Sequence, residues 1–212
     1  MKPFYRICWL ILRFYMRVFC RLKIEGAENV PRQGGVIVAA NHVGAADPPF
    51  IGTCVNREFH FLAKKELFKN FFLRTLIENL NSIPVDRGVL DKGTLLAAEG
   101  ALEKGYGLIL FPEGTRSKNG ELGKGKPGVG YLARRAMVPI VPAFIENSRG
   151  FITLLFKRKR LSVRFGVPLE MELIGSYADD KDGYRAITKE VMARIEHLSG
   201  REQFSNLGVI KD

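Results

Sequence analysis

Short apolar runs alternate with helical patterns along the chain, and this alternation limits the folds that are open to it. The runs are rich in β-branched residues and too short for typical helices, so each predicts a buried strand. The predicted strands are residues 22–25, 36–40, 59–63, 82–85, 108–111, 140–144 and 161–165. The predicted helices are residues 48–55, 64–79, 92–104, 128–136 and 184–198. Strands that alternate with helices indicate an α/β fold, here a mixed, largely parallel central sheet flanked by helices.

The first 22 residues are apolar and basic at once. Their longest uncharged run before Arg17 covers residues 7–12, too short for the roughly 20 apolar residues of a membrane span and for a signal peptide. At about 100° per residue, basic and apolar side chains fall in different sectors. The basic sector holds Lys2, Arg6, Arg13, Arg17 and Arg21, and the apolar one Phe4, Cys8, Ile11, Tyr15, Val18 and Leu22. This pattern predicts an amphipathic helix in the headgroup plane of a membrane; a helix packed on the core is the alternative.

The 212 residues fit one globular domain. We expect an amphipathic membrane-association helix over residues 1–22, the domain over 23–200 and a flexible tail over 201–212. The formal net charge of +11 indicates anionic partners, among them nucleic acid, phospholipid headgroups, acidic carrier proteins and phosphorylated substrates. The three cysteines lack paired spacing, and His60 and His197 lack metal-ligand spacing. Neither a disulfide framework nor a metal site is therefore predicted.

His42 and Asp47 lie five positions apart after the second predicted strand. On a continuous helix their side chains would diverge by roughly 140°, so they meet only if the chain turns between them. The small residues Gly44, Ala45 and Ala46 favour such a turn. A carboxylate that accepts the Nδ1 proton fixes the tautomer and makes Nε2 a better base toward a hydroxyl group. The alternatives are a structural histidine and an aspartate that caps a helix, since a proline follows it.

Residues 111–117 read Phe-Pro-Glu-Gly-Thr-Arg-Ser and follow another predicted strand. The carboxyl ends of strands in an open α/β sheet are where ligands bind. Arg116 is suited to a forked pair of hydrogen bonds with a phosphate, and Glu113 to orienting a substrate hydroxyl or Arg116 itself. A simple pair between Glu113 and Arg116 at a turn is the alternative.

Further basic side chains follow two other strands. Arg87 comes after the strand at residues 82–85, so Arg87 and Arg116 would fix a phosphate in both place and orientation. An ordinary charged turn is the alternative for Arg87. Lys64 and Lys65 begin a predicted helix, where anion contact and a solvated surface are equally compatible with the sequence.

Four motifs in this order resemble the glycerolipid acyltransferase family. His42 and Asp47 match its His-x4-Asp block, Arg87 the arginine of its second block, residues 111–117 its third block, and residues 138–142, Val-Pro-Ile-Val-Pro, its fourth. The resemblance covers roughly residues 26–166. Two positions depart from the family pattern: Gly44 stands where serine is frequent, and Asn81 where a glycine commonly precedes the second block.

The resemblance implies an O-acyltransferase domain over residues 23–200 and a role for each motif. His42 would be the general base and Asp47 its partner, with Arg87 and the loop residues Glu113, Gly114, Thr115 and Arg116 around the acceptor. The implied reaction moves a fatty acyl group from acyl-CoA or acyl carrier protein to the sn-2 hydroxyl of 1-acyl-glycerol 3-phosphate, giving phosphatidic acid. It implies no cofactor beyond that thioester co-substrate and no metal. The implied location is the cytoplasmic face of an anionic membrane, as a peripheral or monotopic protein.

Two other classes of function are weaker interpretations of the sequence. An acyl-enzyme hydrolase is disfavoured because no Gly-x-Ser-x-Gly elbow occurs and Cys54 has no evident basic partner. A nucleic-acid-binding module is suggested by the net charge and by the basic run at residues 157–160. That module leaves the four motifs unexplained, so we expect no nucleic-acid partner. The basic run equally suits anionic lipid or an acidic acyl carrier.

Overall fold

The computed structural model of the chain describes residues 1–86, 91–149 and 160–200. Within these ranges, seven strands form one sheet in the order β1-β7-β6-β2-β5-β3-β4. Their bounds are β1 (Lys23–Glu25), β2 (Val36–Ala40), β3 (Phe59–Lys64), β4 (Ser82–Val85), β5 (Gly107–Leu110), β6 (Ile140–Glu146) and β7 (Ser162–Phe165). Every pair of neighbours is parallel except β6 and β7, which are antiparallel. The predicted mixed, largely parallel sheet is confirmed.

Helices cover both faces of the sheet. They are α1 (Pro3–Val18), α2 (Asp47–Cys54), α3 (Phe71–Asn79), α4 (Lys92–Glu103), α5 (Gly128–Ala136), α6 (Met171–Ser176) and α7 (Lys181–Ser199). Met16 of α1 and Phe50 of α2 belong to the core on one face. Leu102 of α4, Leu132 of α5 and Ile187 of α7 belong to the core on the other. The sheet is therefore the middle layer of three, and both of its faces are apolar, as a parallel sheet requires.

Helix α1 has apolar side chains on two sides. On the inner side Met16 is fully buried, the Tyr5 hydroxyl accepts a hydrogen bond from the Phe59 amide at 3.2 Å, and Trp9 Nε1 donates to the Val55 carbonyl at 3.0 Å. The outer side exposes Phe4, Ile7, Leu10, Ile11, Phe14 and Val18 to solvent. The helix is thus both anchored on the core and apolar outward. None of the helices in the described ranges has the length and apolarity that crossing a bilayer demands.

The structure divides the helix predicted over residues 64–79. A short 3-10 helix (Lys65–Lys69) is followed by α3, and Asn70 between them accepts the Leu73 amide on its side-chain oxygen at 3.0 Å. Asparagine favours such a cap over a helix interior, so the prediction of one continuous helix was wrong. Helix α6 had no counterpart in the sequence prediction. The predicted flexible tail at residues 201–212 lies outside the described residues, as do residues 157–159 of the basic run.

Candidate functional site

His42 and Asp47 meet at the carboxyl end of β2. Nδ1 of His42 lies 2.8 Å from Oδ2 of Asp47, and the carboxylate is fully buried, whereas the imidazole is 18% exposed. A carboxylate only accepts hydrogen bonds at neutral pH, so this contact assigns the imidazole proton to Nδ1. Nε2 is then the nitrogen that is free to receive a proton from a bound hydroxyl.

Asp47 is held by the turn that brings it to His42. Its Oδ2 also accepts the backbone N–H groups of Val43 at 2.7 Å and Gly44 at 2.8 Å. Asp47 is the first residue of α2 and accepts these amides from the residues before it, so it does not act as the side-chain cap considered as an alternative. A Cβ atom on Gly44 would lie 3.0 Å from Oδ1 of Asp47 and 3.0 Å from the carbonyl of Ser148, so a residue larger than glycine would fit this turn only if its neighbours shifted.

Ser148 is a site residue that the sequence analysis missed. Its buried hydroxyl donates to Oδ1 of Asp47, so both oxygens of that carboxylate are hydrogen-bonded. Ser148 follows the carboxyl end of β6, and β6 pairs directly with β2. The signal that could have found it is a hydroxyl residue in the segment that follows the strand predicted over residues 140–144. Asn41 ties the same two strands together, because its side-chain amide exchanges two hydrogen bonds with the backbone of Ile145, at 2.9 and 2.7 Å.

The loop after β5 holds the backbone and the ring of His42. The His42 amide donates to Oε1 of Glu113 at 3.0 Å, and its carbonyl accepts the Ser117 amide at 2.7 Å. The imidazole stacks on Phe111 with ring centroids 4.0 Å apart and an interplanar angle of 18°. The His-x4-Asp turn and the Phe-Pro-Glu-Gly-Thr-Arg-Ser loop are therefore one structural unit, because β2 and β5 are paired and end at the same edge.

Glu113 is buried, and both of its carboxylate oxygens accept backbone amides. Oε1 takes the amide of His42 and Oε2 that of Gly123, each at 3.0 Å. Burial raises the pKa of Glu113 above its ordinary value, while the two amides act to lower it. In the part of the chain that the structure describes, Glu113 forms no ion pair with Arg116, so that alternative is not what the fold uses. The carboxylate instead links the backbone of His42 to the backbone of Gly123.

Gly114, Thr115 and Arg116 are exposed at the tip of the loop. Gly114 has a φ of +68°, and a Cβ atom there would lie 3.0 Å from Nζ of Lys126. The guanidinium of Arg116 makes no hydrogen bond to the described residues. The Arg116 side chain is exposed on the loop that holds His42. A guanidinium in such a position is available to bind an anion.

Arg149 was also missed, and it fastens the same loop from the β6 side. Its guanidinium donates to the carbonyls of Ser117 and, at 2.6 Å, of Lys118, and more weakly at 3.4 Å to that of Val43. Three carbonyl groups thus point at one cation that directly follows Ser148 in sequence. Arg149 therefore joins the loop after β5 to the turn after β2.

The remaining candidate cations have different outcomes. Arg87 lies outside the described residues, so its role stays a prediction. Lys65 donates to Asp86 at 2.5 Å and to Asp91 at 3.3 Å, and these hydrogen bonds raise its pKa. Lys65 is thus engaged in a solvated ion pair. Across the described residues, no three His, Cys, Asp or Glu side chains come together as a metal site would require.

Comparison with known proteins shows which enzymes this chain resembles. The acyltransferase family profile matches residues 21–146, more than half of the chain. The chain is similar to the 1-acyl-sn-glycerol-3-phosphate acyltransferase of Bacillus subtilis, 28% identical over 93% of this chain and 98% of the relative, and to that of Borreliella burgdorferi, 24% identical over 84% and 73%. It also resembles the crystal structure of PlsC from Thermotoga maritima, the 1-acyl-sn-glycerophosphate acyltransferase, with a TM-score of 0.69 and 27% identity over 93% of this chain and 79% of the other.

Proposed function

Since the chain belongs to the acyltransferase family and is an O-acyltransferase, we propose that it acylates the sn-2 hydroxyl of 1-acyl-glycerol 3-phosphate. The product is phosphatidic acid, and the donor is the thioester of coenzyme A or acyl carrier protein. The observation that carries this proposal is the contact of His42 Nδ1 with the buried carboxylate of Asp47 at 2.8 Å. It leaves Nε2 as a base beside a loop that presents Arg116.

The proposed mechanism moves one proton from the acceptor to the leaving thiolate. Nε2 of His42 takes the hydroxyl proton as the oxygen attacks the thioester carbonyl, and the imidazolium that forms is stabilised by the carboxylate of Asp47. When the tetrahedral intermediate collapses, the C–S bond breaks and the thiolate receives that proton. The new ester and a free thiol leave, and His42 returns to its neutral form without a covalent enzyme intermediate.

A direct transfer is also supported by the state of Cys54, the cysteine nearest in sequence to the base. It is buried in α2, and burial raises the pKa of its thiol to about 12. A thiol with that pKa stays protonated at neutral pH and is a poor nucleophile. The substrate hydroxyl therefore occupies the place that the serine has in a hydrolase.

The acceptor's phosphate is proposed to bind Arg116, with Arg87 as its second partner. Both arginines follow strands that end at the same edge as His42, and Arg116 is exposed there. A phosphate anchored on one side of the base would hold the glycerol backbone so that its free hydroxyl reaches Nε2.

We further propose that the enzyme works at the cytoplasmic face of an anionic membrane, as a peripheral or monotopic protein. The support is the outer side of α1, where Phe4, Ile7, Ile11 and Phe14 are exposed. Arg6 and Arg17 are exposed on the same helix. Apolar side chains bordered by arginines fit the interface between headgroups and acyl chains.

The decisive experiment replaces the base and varies the substrates. His42→Ala is expected to abolish acyl transfer while the protein still folds and binds vesicles, with a lower unfolding temperature because Asp47 loses a hydrogen bond. His197→Ala, which alters an exposed histidine in the last turn of α7, is the matched control and should keep full activity. Products of lysophosphatidate, glycerol 3-phosphate and other lysolipids, each with both donors, are identified by mass. Near-normal turnover in His42→Ala would contradict the mechanism, and acylation of another acceptor in preference to lysophosphatidate would contradict the substrate.

A further inference from the structure

A second apolar surface lies at the start of α3. Phe71 and Phe72 are 74% and 83% exposed, and their rings contact each other edge to face with centroids 5.7 Å apart. Leu76, one turn later, and Leu67, in the preceding 3-10 helix, are also exposed. We call these four side chains the α3 apolar patch. The exposure of two adjacent phenyl rings to water costs free energy, and a contiguous apolar patch of this kind is typical of a surface that contacts an apolar partner.

The charges around the patch indicate what that contact is. Lys64 and Lys69 make no ion pair with the described residues, whereas Lys65 pairs with Asp86 and Asp91, and Arg74 pairs with Glu78. Phenyl rings that project between cations match a bilayer with anionic headgroups, where the rings enter the acyl boundary and the cations meet phosphates. The positive charges around the α3 apolar patch therefore favour an anionic lipid surface as its partner.

The topology places the patch at the catalytic edge. β3 is parallel to β5, and β5 to β2, so the carboxyl end of β3 lies at the same edge as His42. The 3-10 helix and the start of α3 follow directly from that end. Phe71 and Phe72 are therefore at the catalytic edge, and the end of α3 is at the opposite edge.

The last turn of helix α1 reaches the same edge of the sheet. It leads into β1, which pairs in parallel with β7, and β7 is antiparallel to β6, so β1 begins where β6 ends. The crossovers from β2 to β3 and from β3 to β4 run in the same direction across the sheet, so right-handed connections put α2 and α3 on one face. Helix α1 packs against α2 on that face, and Nζ of Lys2 donates to the side chain of Asn81, just after α3, at 2.9 Å.

We propose that the α3 apolar patch is a second membrane-contact surface, which together with α1 holds the catalytic edge against an anionic phospholipid bilayer. One helix in the headgroup plane fixes the depth of a protein but leaves it free to rock about the helix axis. A second contact away from that axis removes this freedom and keeps His42 facing the lipid. The inference rests on the proposed function, because an acceptor that stays in the bilayer is what makes this orientation useful.

The first test measures partition onto vesicles. Phe71→Ser with Phe72→Ser is expected to weaken sedimentation with vesicles of phosphatidylcholine containing roughly 30% phosphatidylglycerol by about tenfold or more, since two rings no longer enter the bilayer. Leu96→Ser is the matched control, because Leu96 is 57% exposed on α4, on the opposite face, and should bind like the wild type. Partition of the double variant equal to that of the wild type would overturn the proposal.

The second test does not depend on how the serine variants fold. The chain has one tryptophan, Trp9, so Trp9→Phe with Phe72→Trp places the sole indole in the patch. Brominated phosphatidylcholine in the same vesicles should quench its fluorescence, whereas Trp9→Phe with Leu96→Trp should stay unquenched. An unquenched indole at position 72 on bound protein would refute insertion of the patch.

Activity separates this inference from the proposed reaction. On a short-chain, monomeric lysophosphatidate the serine double variant should turn over like the wild type, and on vesicle-embedded acceptor it should be slower by about the factor lost in partition. Equal losses on both acceptors would refute an orienting role. If the wild type acylated neither acceptor, the proposed function would fail, and the sedimentation and quenching results would still decide whether the patch contacts lipid.

Discussion

Removing the hydroxyl of Ser148 isolates what the Asp47 carboxylate needs in order to serve as the partner of the base. Oδ2 of Asp47 accepts three hydrogen bonds, from His42 Nδ1 and the amides of Val43 and Gly44, whereas Oδ1 accepts the hydroxyl of Ser148. Ser148→Ala would leave Oδ1 of a fully buried carboxylate without that donor. A hydrogen bond to a charged group contributes about 1.5–3 kcal/mol. We therefore expect the free energy of unfolding to fall by about 2 kcal/mol.

For a chain of this length, that loss corresponds to an unfolding temperature lower by about 4–8 °C. The effect on rate should be smaller, because the amides of Val43 and Gly44 still hold Oδ2 beside the imidazole. We expect kcat to fall about tenfold, equivalent to about 1.4 kcal/mol in the barrier, with KM for both substrates unchanged.

Thermal denaturation and steady-state kinetics measure the two effects, and Ser162→Ala is the matched control. The hydroxyl of Ser162 is also buried but has no hydrogen-bond partner in the described residues, so its removal should not lower the stability. If the two alanine variants unfolded at the same temperature and turned over alike, the hydrogen bond from Ser148 to Asp47 would have no energetic importance.

Three further changes test the site and the packing around it. Arg116→Ala should raise KM for the phosphorylated acceptor about tenfold or more with little change in KM for the donor; unchanged acceptor kinetics would remove Arg116 from phosphate binding. Gly130→Ala should lower the free energy of unfolding by about 2 kcal/mol or more in thermal denaturation, because the new Cβ would lie 2.1 Å from the carbonyl of Tyr184. Gly100→Ala in α4 is the control: its Cβ would meet nothing within 4 Å, so the variant should be neutral or stabilising. Burial lowers the pKa of His60 below the ordinary histidine value of 6.5. Between these two pKa values the unfolded chain binds a proton that the folded chain does not, so the free energy of unfolding rises with pH across this window. His60→Gln should flatten that rise in unfolding temperatures recorded from about pH 5 to 7.

The sequence predicted most of the sheet because its strands are short apolar runs with clear ends. Predicted strands at residues 36–40 and 82–85 match β2 and β4 in full, and the others differ by one or two residues. The meeting of His42 and Asp47 was also predictable, because a turn of small residues is the one local route that brings them together. The orientation of β7 was not predictable, because the hydrophobic pattern of a buried strand is the same in either direction.

What the sequence could not supply are contacts between residues far apart along the chain. Ser148 reaches Asp47 only because β6 lies beside β2. The hydrophobic pattern of one strand does not indicate which strands lie next to it. Glu113 was predicted to face the substrate or Arg116, and the structure instead gives both of its oxygens to backbone amides. The sequence analysis placed Asn70 inside one continuous helix, and the structure ends that continuity there because the side chain of Asn70 caps α3.

The hydrogen bonds between the backbone of His42 and the loop after β5 limit how far the sequence of this loop can change. Since Ser117 and Glu113 hold the main chain of His42 from both sides, any remodelling of the loop after β5 is transmitted to His42 itself. New acceptor preferences are then easiest to acquire through residues that line the acceptor site but make no contact with these hydrogen bonds. Variation of substrate choice among proteins that keep this arrangement should accordingly be found in the surroundings of the loop, with the loop itself left intact.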